Sequence, residues 1–148
     1  MKTRNVVIAV VGWTLLSLAA NTCAAESTLI KVKVPFDFLV DGQSFPAGDY
    51  TIAYPLFSGH NQILLSNAEG RALRIIQTHT FEQRPWDTKT YVVFHGYGDQ
   101  YFLSRIWSGG MGVGRELARS PQERELTNKV AQNGERPAVK EVYLTAAR

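Results

Sequence analysis

The stretch IWSGGMGVGREL, Ile106 to Leu117, is dense in glycine and invites a phosphate-cradling reading. A Walker-type loop needs glycine, four residues, then Gly-Lys-Ser/Thr, so that backbone amides and the lysine surround the phosphates and the hydroxyl holds the metal. Gly109 and Gly114 have the first spacing, but Arg115 and Glu116 follow, and the metal-binding hydroxyl is missing. A dinucleotide fingerprint on Gly110 and Gly112 fails at Arg115, and only RELAR separates the stretch from a new helix at Ser120. Glycine tolerates positive φ, so the simpler expectation is a turn joining strands Gln100–Trp107 and Val113–Arg119.

Histidine offers two further chemistries. His60, His79 and His95 lie far apart and lack the close ligand spacing of a zinc site, so no metal and no cofactor is expected. Ser104, His95 and Asp99 can be assembled into a nucleophilic triad on paper, with His95 and Asp99 as the first candidate pair for a hydrolase. No G-x-S-x-G elbow supports it, and Asp99 is better suited to a turn in GYGD, where its side chain bonds the local backbone. No catalytic residue is therefore assigned. Paired carboxylates for glycoside hydrolysis stay open, because their separation is a tertiary property.

The aromatic residues are the remaining candidates. Trp86, Tyr91, Tyr97, Tyr101 and Trp107 fall in one segment. Rings exposed on a sheet stack on sugars or on a partner's apolar groups, whereas buried rings fill a core. Core is the favoured reading of these rings, and if any are exposed, Trp86, Tyr97, Tyr101 and Trp107 are the ligand-binding candidates.

These residues need a scaffold, and hydrophobic periodicity supplies one. In IKVKVPFDFLV, Ile30, Val32, Val34, Phe36, Phe38 and Val40 alternate with Lys31, Lys33, Pro35, Asp37 and Leu39, which puts the first set on one face of a strand. Pro35 has no N–H, so that strand belongs at an edge or bends there. Turn residues at Asp41-Gly42 and Pro46-Ala47-Gly48 precede a strand from Asp49 to Tyr54. Further strands are expected over Gln62–Ser66 and Arg71–Thr80, joined by NAEG, and over Thr90–His95 and Gln100–Ser108, joined by GYGD. The last of these carries apolar residues on both faces, as a covered central strand does. One helix is signalled: Ser120 as cap, Pro121 at the first position, Glu123 completing a capping box and Asn133-Gly134 as the stop. Leu126 and Val130 would face the domain, with Glu123, Arg124, Glu125 and Lys129 solvated. VKEVYLTA returns as a closing strand. The expectation is an all-β fold, a sandwich or open barrel of about seven or eight antiparallel strands with one short C-terminal helix.

The first residues, MKTRNVVIAVVGWTLLSLAANTCAAES, have the three-part layout of a secretory signal: Lys2 and Arg4, an apolar run from Val6 to Ala20, then small residues. Gly12, Thr14 and Ser17 interrupt the run, which is shorter than the roughly 18 apolar residues that a spanning helix needs. With Cys23 and Ala25 at the −3 and −1 positions, residues 1–25 are expected to be removed and residues 26–148 to form a single β-rich domain. Cleavage after Ala24 is the near alternative, and lipid attachment at Cys23 is disfavoured by the ANT before it. The mature chain would then have no cysteine, hence no disulfide and no thiol chemistry. The formal charge of the whole chain is +3, and Lys2 and Arg4 account for two of it, so no charge-based case for nucleic acid survives.

Two segments, VPFDFLVDGQSFPAGDYTI (Val34–Ile52) and FHGYGDQYFLSRIWSGGMGVGRELARSPQERE (Phe94–Glu125), together resemble a group of exported bacterial proteins. That group pairs an F-x-F-x-V…P-A-G-x-Y segment with a Y-G-D-x-Y-F-L-S-x-I-W block. The resemblance implies export and one small domain, and carries over no activity and no catalytic residues. The leading expectation is an exported, non-catalytic envelope module, periplasmic or extracellular. It would bind a partner protein, a glycan or a small apolar ligand, not nucleic acid, through an aromatic sheet face, without a transmembrane segment in the mature chain. A small secreted hydrolase using carboxylates or a histidine is the alternative.

Overall fold

A computed structural model describes residues 29–54, 61–82, 88–110, 112–132 and 139–146. Its elements are strands β1 (Leu29–Val34), β2 (Phe38–Val40), β3 (Gln43–Phe45), β4 (Gly48–Ala53), β5 (Gln62–Asn67), β6 (Ala72–Glu82), β7 (Tyr91–Tyr97), β8 (Gln100–Trp107) and β9 (Val113–Leu117). Helix α1 (Pro121–Gln132) and strand β10 (Lys140–Thr145) follow. The signal-like segment, His60, Trp86 and the Asn133-Gly134 stop lie outside the described residues.

Alternation decides which side chains go inward. In β1, Ile30, Val32 and Val34 are buried while Leu29, Lys31 and Lys33 are exposed. Pro35 ends that strand, and β1 pairs only with β4, at the end of the ladder, so the proline both breaks the run and sits by an edge. The chain resumes as β2, then turns through Asp41 (φ 48°) and Gly42 (φ 80°) into β3. Two successive left-handed residues are what a tight two-residue hairpin requires.

The strands form one connected ladder in the order β1-β4-β5-β6-β9-β8-β2-β3, and β8 also pairs along its length with β7, which pairs with β10. The all-β expectation with one short helix holds, with two corrections. Among the described residues the sheet has ten strands, not seven or eight, and it is mixed, because β2 runs parallel to β8 at Leu39↔Phe102. The extra strands come from Pro35, which splits the alternating run into β1 and β2, and from the Asp41-Gly42 turn, which adds the three-residue β3. The sheet curls without closing. Inward side chains from all of β1 to β9 share a core, with Phe38 stacked on Phe45 and edge-on to Tyr50 and Phe94. Full burial of each such ring or branched chain contributes roughly 1.5–3 kcal/mol.

The reverse side of β7 and β8 is covered as well. Val93, Phe102 and Trp107 are buried yet stand outside that core, each alternating with a core residue. Helix α1 begins over this face. Ser120 caps it, its Oγ accepting from the Glu123 N–H at 3.1 Å, and Leu126 and Val130 are half-buried as expected. Glu123 is the exception: it is buried, not solvated.

Candidate functional site

The face under α1 brings three polar side chains into a line. His95 is on β7, Ser104 on β8 and Glu123 in the first turn of α1. Ser104 Oγ is 2.9 Å from His95 Nε2, and His95 Nδ1 is 2.9 Å from Glu123 Oε1. A carboxylate only accepts, so in the neutral imidazole Nδ1 carries the proton and donates to Glu123, while Nε2 accepts from the Ser104 hydroxyl. Tyr97 donates a second bond to the same carboxylate oxygen, at 3.0 Å. All three relay residues are less than a tenth exposed.

Local backbone explains the alignment. The β7–β8 register shifts between Val93 and Phe94: Phe94 faces Leu103, Val93 faces Arg105, and Ser104 is the additional residue between them. A bulge of this kind re-aims a side chain within a strand. On the helix, Glu123 gives its N–H to Ser120, but its carboxylate turns to the sheet instead of back to the cap. Burial of this charge is tolerable because two donors reach it.

The two ends of the imidazole differ in access. The Nδ1 end is closed by α1. Near the Nε2 end stands Glu141 of β10, 3.9 Å from the ring nitrogen and hydrogen-bonded to Arg105. Glu141 and Arg105 are far more open, with side chains 37% and 29% exposed. Tyr143 donates to the other Glu141 oxygen at 2.5 Å. That bond, chiefly, together with the Arg105 charge, holds the Glu141 carboxyl below its ordinary range despite burial acting the other way. The same bond, together with burial, raises the Tyr143 phenol, and burial chiefly raises Tyr97. Arg105 Nε is buried without a hydrogen-bond partner.

The structure redistributes the sequence candidates. Asp99 stays exposed in the Gly98-Asp99 turn, and Glu123 takes the place beside His95 that the paper triad gave to Asp99. Tyr97 and Tyr101 lie on opposite faces of the hairpin: Tyr97 turns to Glu123, while Tyr101 stacks on Phe36 with centroids 4.0 Å apart. Trp107 is fully buried, near Phe81 and Tyr91, so it belongs to no exposed patch. His79 is exposed on β6, and no cluster able to hold a metal occurs among the described residues.

Among the described aromatic residues Tyr143 is exposed, and it lies against the half-buried Tyr91. Tyr143 is 56% exposed, edge-on to Tyr91 at 5.6 Å. The signal for it was present: in VYLT, Tyr143 alternates with inward-facing Val142 and Leu144, so it must point out.

The glycines serve turns and close approach. Gly110 (φ 81°) and Gly112 (φ 67°) are left-handed, and a Cβ on Gly109 would lie 1.9 Å from the Thr88 carbonyl oxygen. Gly109 donates its N–H to Thr90 Oγ1. Neither family models, nor curated proteins, nor solved structures give a match to the chain.

Proposed function

We propose that this is an exported envelope module that binds a partner polypeptide along strand β10. The observation that carries the reading is Tyr143, exposed on a strand that pairs on one side with β7 and with no other strand among the described residues. An unpaired strand edge offers backbone donors and acceptors to an added strand, and an adjacent aromatic pair supplies the apolar anchor that such additions need. In this reading Tyr143, with Tyr91 beside it, is the aromatic contact for the partner. Support for export comes from residues 1–25. No helix among the described residues is long and apolar enough to cross a membrane.

The test is site-specific photo-crosslinking of the full chain in its own host, with a benzophenone amino acid at Tyr143 and, as a control, at the exposed Ile75 of β6. A discrete polypeptide adduct from position 143, absent at 75 and lost when an excess of unlabelled protein is added, supports the reading. Adducts that are equal at both positions, or that contain glycan or lipid in place of polypeptide, would overturn it.

A further inference from the structure

We propose that Ser104 is a nucleophile, activated by His95 and directed by Glu123, that accepts the acyl group of small carboxylic esters. This goes beyond partner binding and departs from the non-catalytic expectation. That expectation rested on the lack of a local motif, whereas here the three groups come from residues 95, 104 and 123 and meet only in the folded chain.

The atom connectivity is what acyl transfer requires. The serine oxygen contacts Nε2, and the carboxylate contacts Nδ1, so the acid fixes the tautomer whose free lone pair faces the hydroxyl. Glu123 is a positioning residue in this scheme, since it touches neither the ester nor the reacting oxygen. A Ser–His–Glu line serving only as packing would need no graded access along it, yet the line runs from the enclosed Glu123 to the open Glu141–Arg105 pair. Glu141 stands 3.9 Å from Nε2 on the more open side, so an ester would approach past the Glu141 side chain while α1, Glu123 and Arg105 keep their places. Lifting α1, by contrast, would carry away the carboxylate. The unpartnered Nε–H of Arg105 is a charged donor on the same side, available to an oxygen that gains negative charge.

The step balances. Ser104 Oγ attacks the ester carbonyl carbon as its proton passes to Nε2. The carbon–oxygen bond to the leaving alcohol then breaks, and the alcohol takes that proton. Water repeats the sequence on the serine ester, releasing the carboxylic acid and restoring Ser104. Because Ser104 is 4% exposed, only small acyl groups such as acetyl reach it.

The experiment is incubation of the full chain with p-nitrophenyl acetate, reading p-nitrophenolate release and locating acetyl groups by peptide mass spectrometry. Wild type should carry acetyl on Ser104, at a rate that depends on pH through the general base. Ser104→Ala should abolish the site. His95→Gln and Glu123→Gln should slow acetylation by about 100-fold or more, the usual worth of a general base held in place, and His95→Gln alone should abolish the pH dependence of serine acetylation. Glu141→Gln, which loosens the surface pair, should speed it. Each variant is compared only where its near-ultraviolet circular dichroism matches wild type. Acetyl on lysines alone, in both wild type and Glu141→Gln, would overturn the proposal. So would Ser104 acetylation that is indifferent to His95→Gln.

Discussion

Glu123 Oε1 lies 2.9 Å from His95 Nδ1, joining the first turn of α1 to the middle of the sheet. No other residue of the helix is fully buried, so this carboxylate is the principal polar tie between the two elements. The bond to His95 and the bond from Tyr97 share one oxygen, which makes the tie vulnerable to a single substitution.

Glu123→Ala should therefore cost about 3 kcal/mol of unfolding free energy, since it strands a buried imidazole N–H and a phenol together. Glu123→Gln should cost less, because the amide oxygen still accepts. Urea unfolding of the two variants gives the comparison, and equal midpoints for Glu123→Ala and wild type would remove the tie from the account.

Stability should depend on acid through Glu141. Its pKa is depressed in the folded chain, mainly by the Tyr143 hydroxyl. A depressed carboxyl contributes stability above its unfolded value, near 4.3, and that contribution is lost as pH falls through the lower folded value. Tyr143→Phe removes the hydroxyl and should flatten the loss below about pH 4.3. Carboxyl titration followed by NMR should show Glu141 moving up in that variant. An unmoved Glu141 would assign the shift to its basic neighbours Arg105 and His95.

Gly109→Ala and Gly110→Ala should differ. At Gly109 the new Cβ would overlap the Thr88 backbone, which cannot rotate away, whereas at Gly110 it meets open space and only the left-handed φ is strained. The expected costs are more than about 3 kcal/mol for the first and about 1–2 kcal/mol for the second. Thermal melts of both variants decide it, and equal melting temperatures would contradict the close approach.

Much of the architecture was legible in the chain. The alternation in β1, the turn residues at Asn67–Gly70 and Gly98-Asp99, and the Ser120-Pro121 cap each report a local preference, and the structure keeps them all. The site was legible only in part. Ser104 and His95 could be paired on paper because they sit on adjacent strands of one hairpin. Glu123 could not be found, because its capping-box position points to its own backbone and nothing local says that the carboxylate turns to the sheet instead. The burial of Trp107 agrees with the two-faced apolar pattern of β8, while the exposure of Tyr143 follows from its alternation with Val142 and Leu144.

The relay is tested most directly by nitrogen NMR of His95 at neutral pH, in wild type and in Glu123→Gln. The expected result is a strongly deshielded proton on Nδ1, which shifts upfield when the carboxylate becomes an amide. A proton on Nε2 would contradict it, since that nitrogen could then not accept from Ser104, and the alignment of Glu123, His95 and Ser104 would lose its meaning.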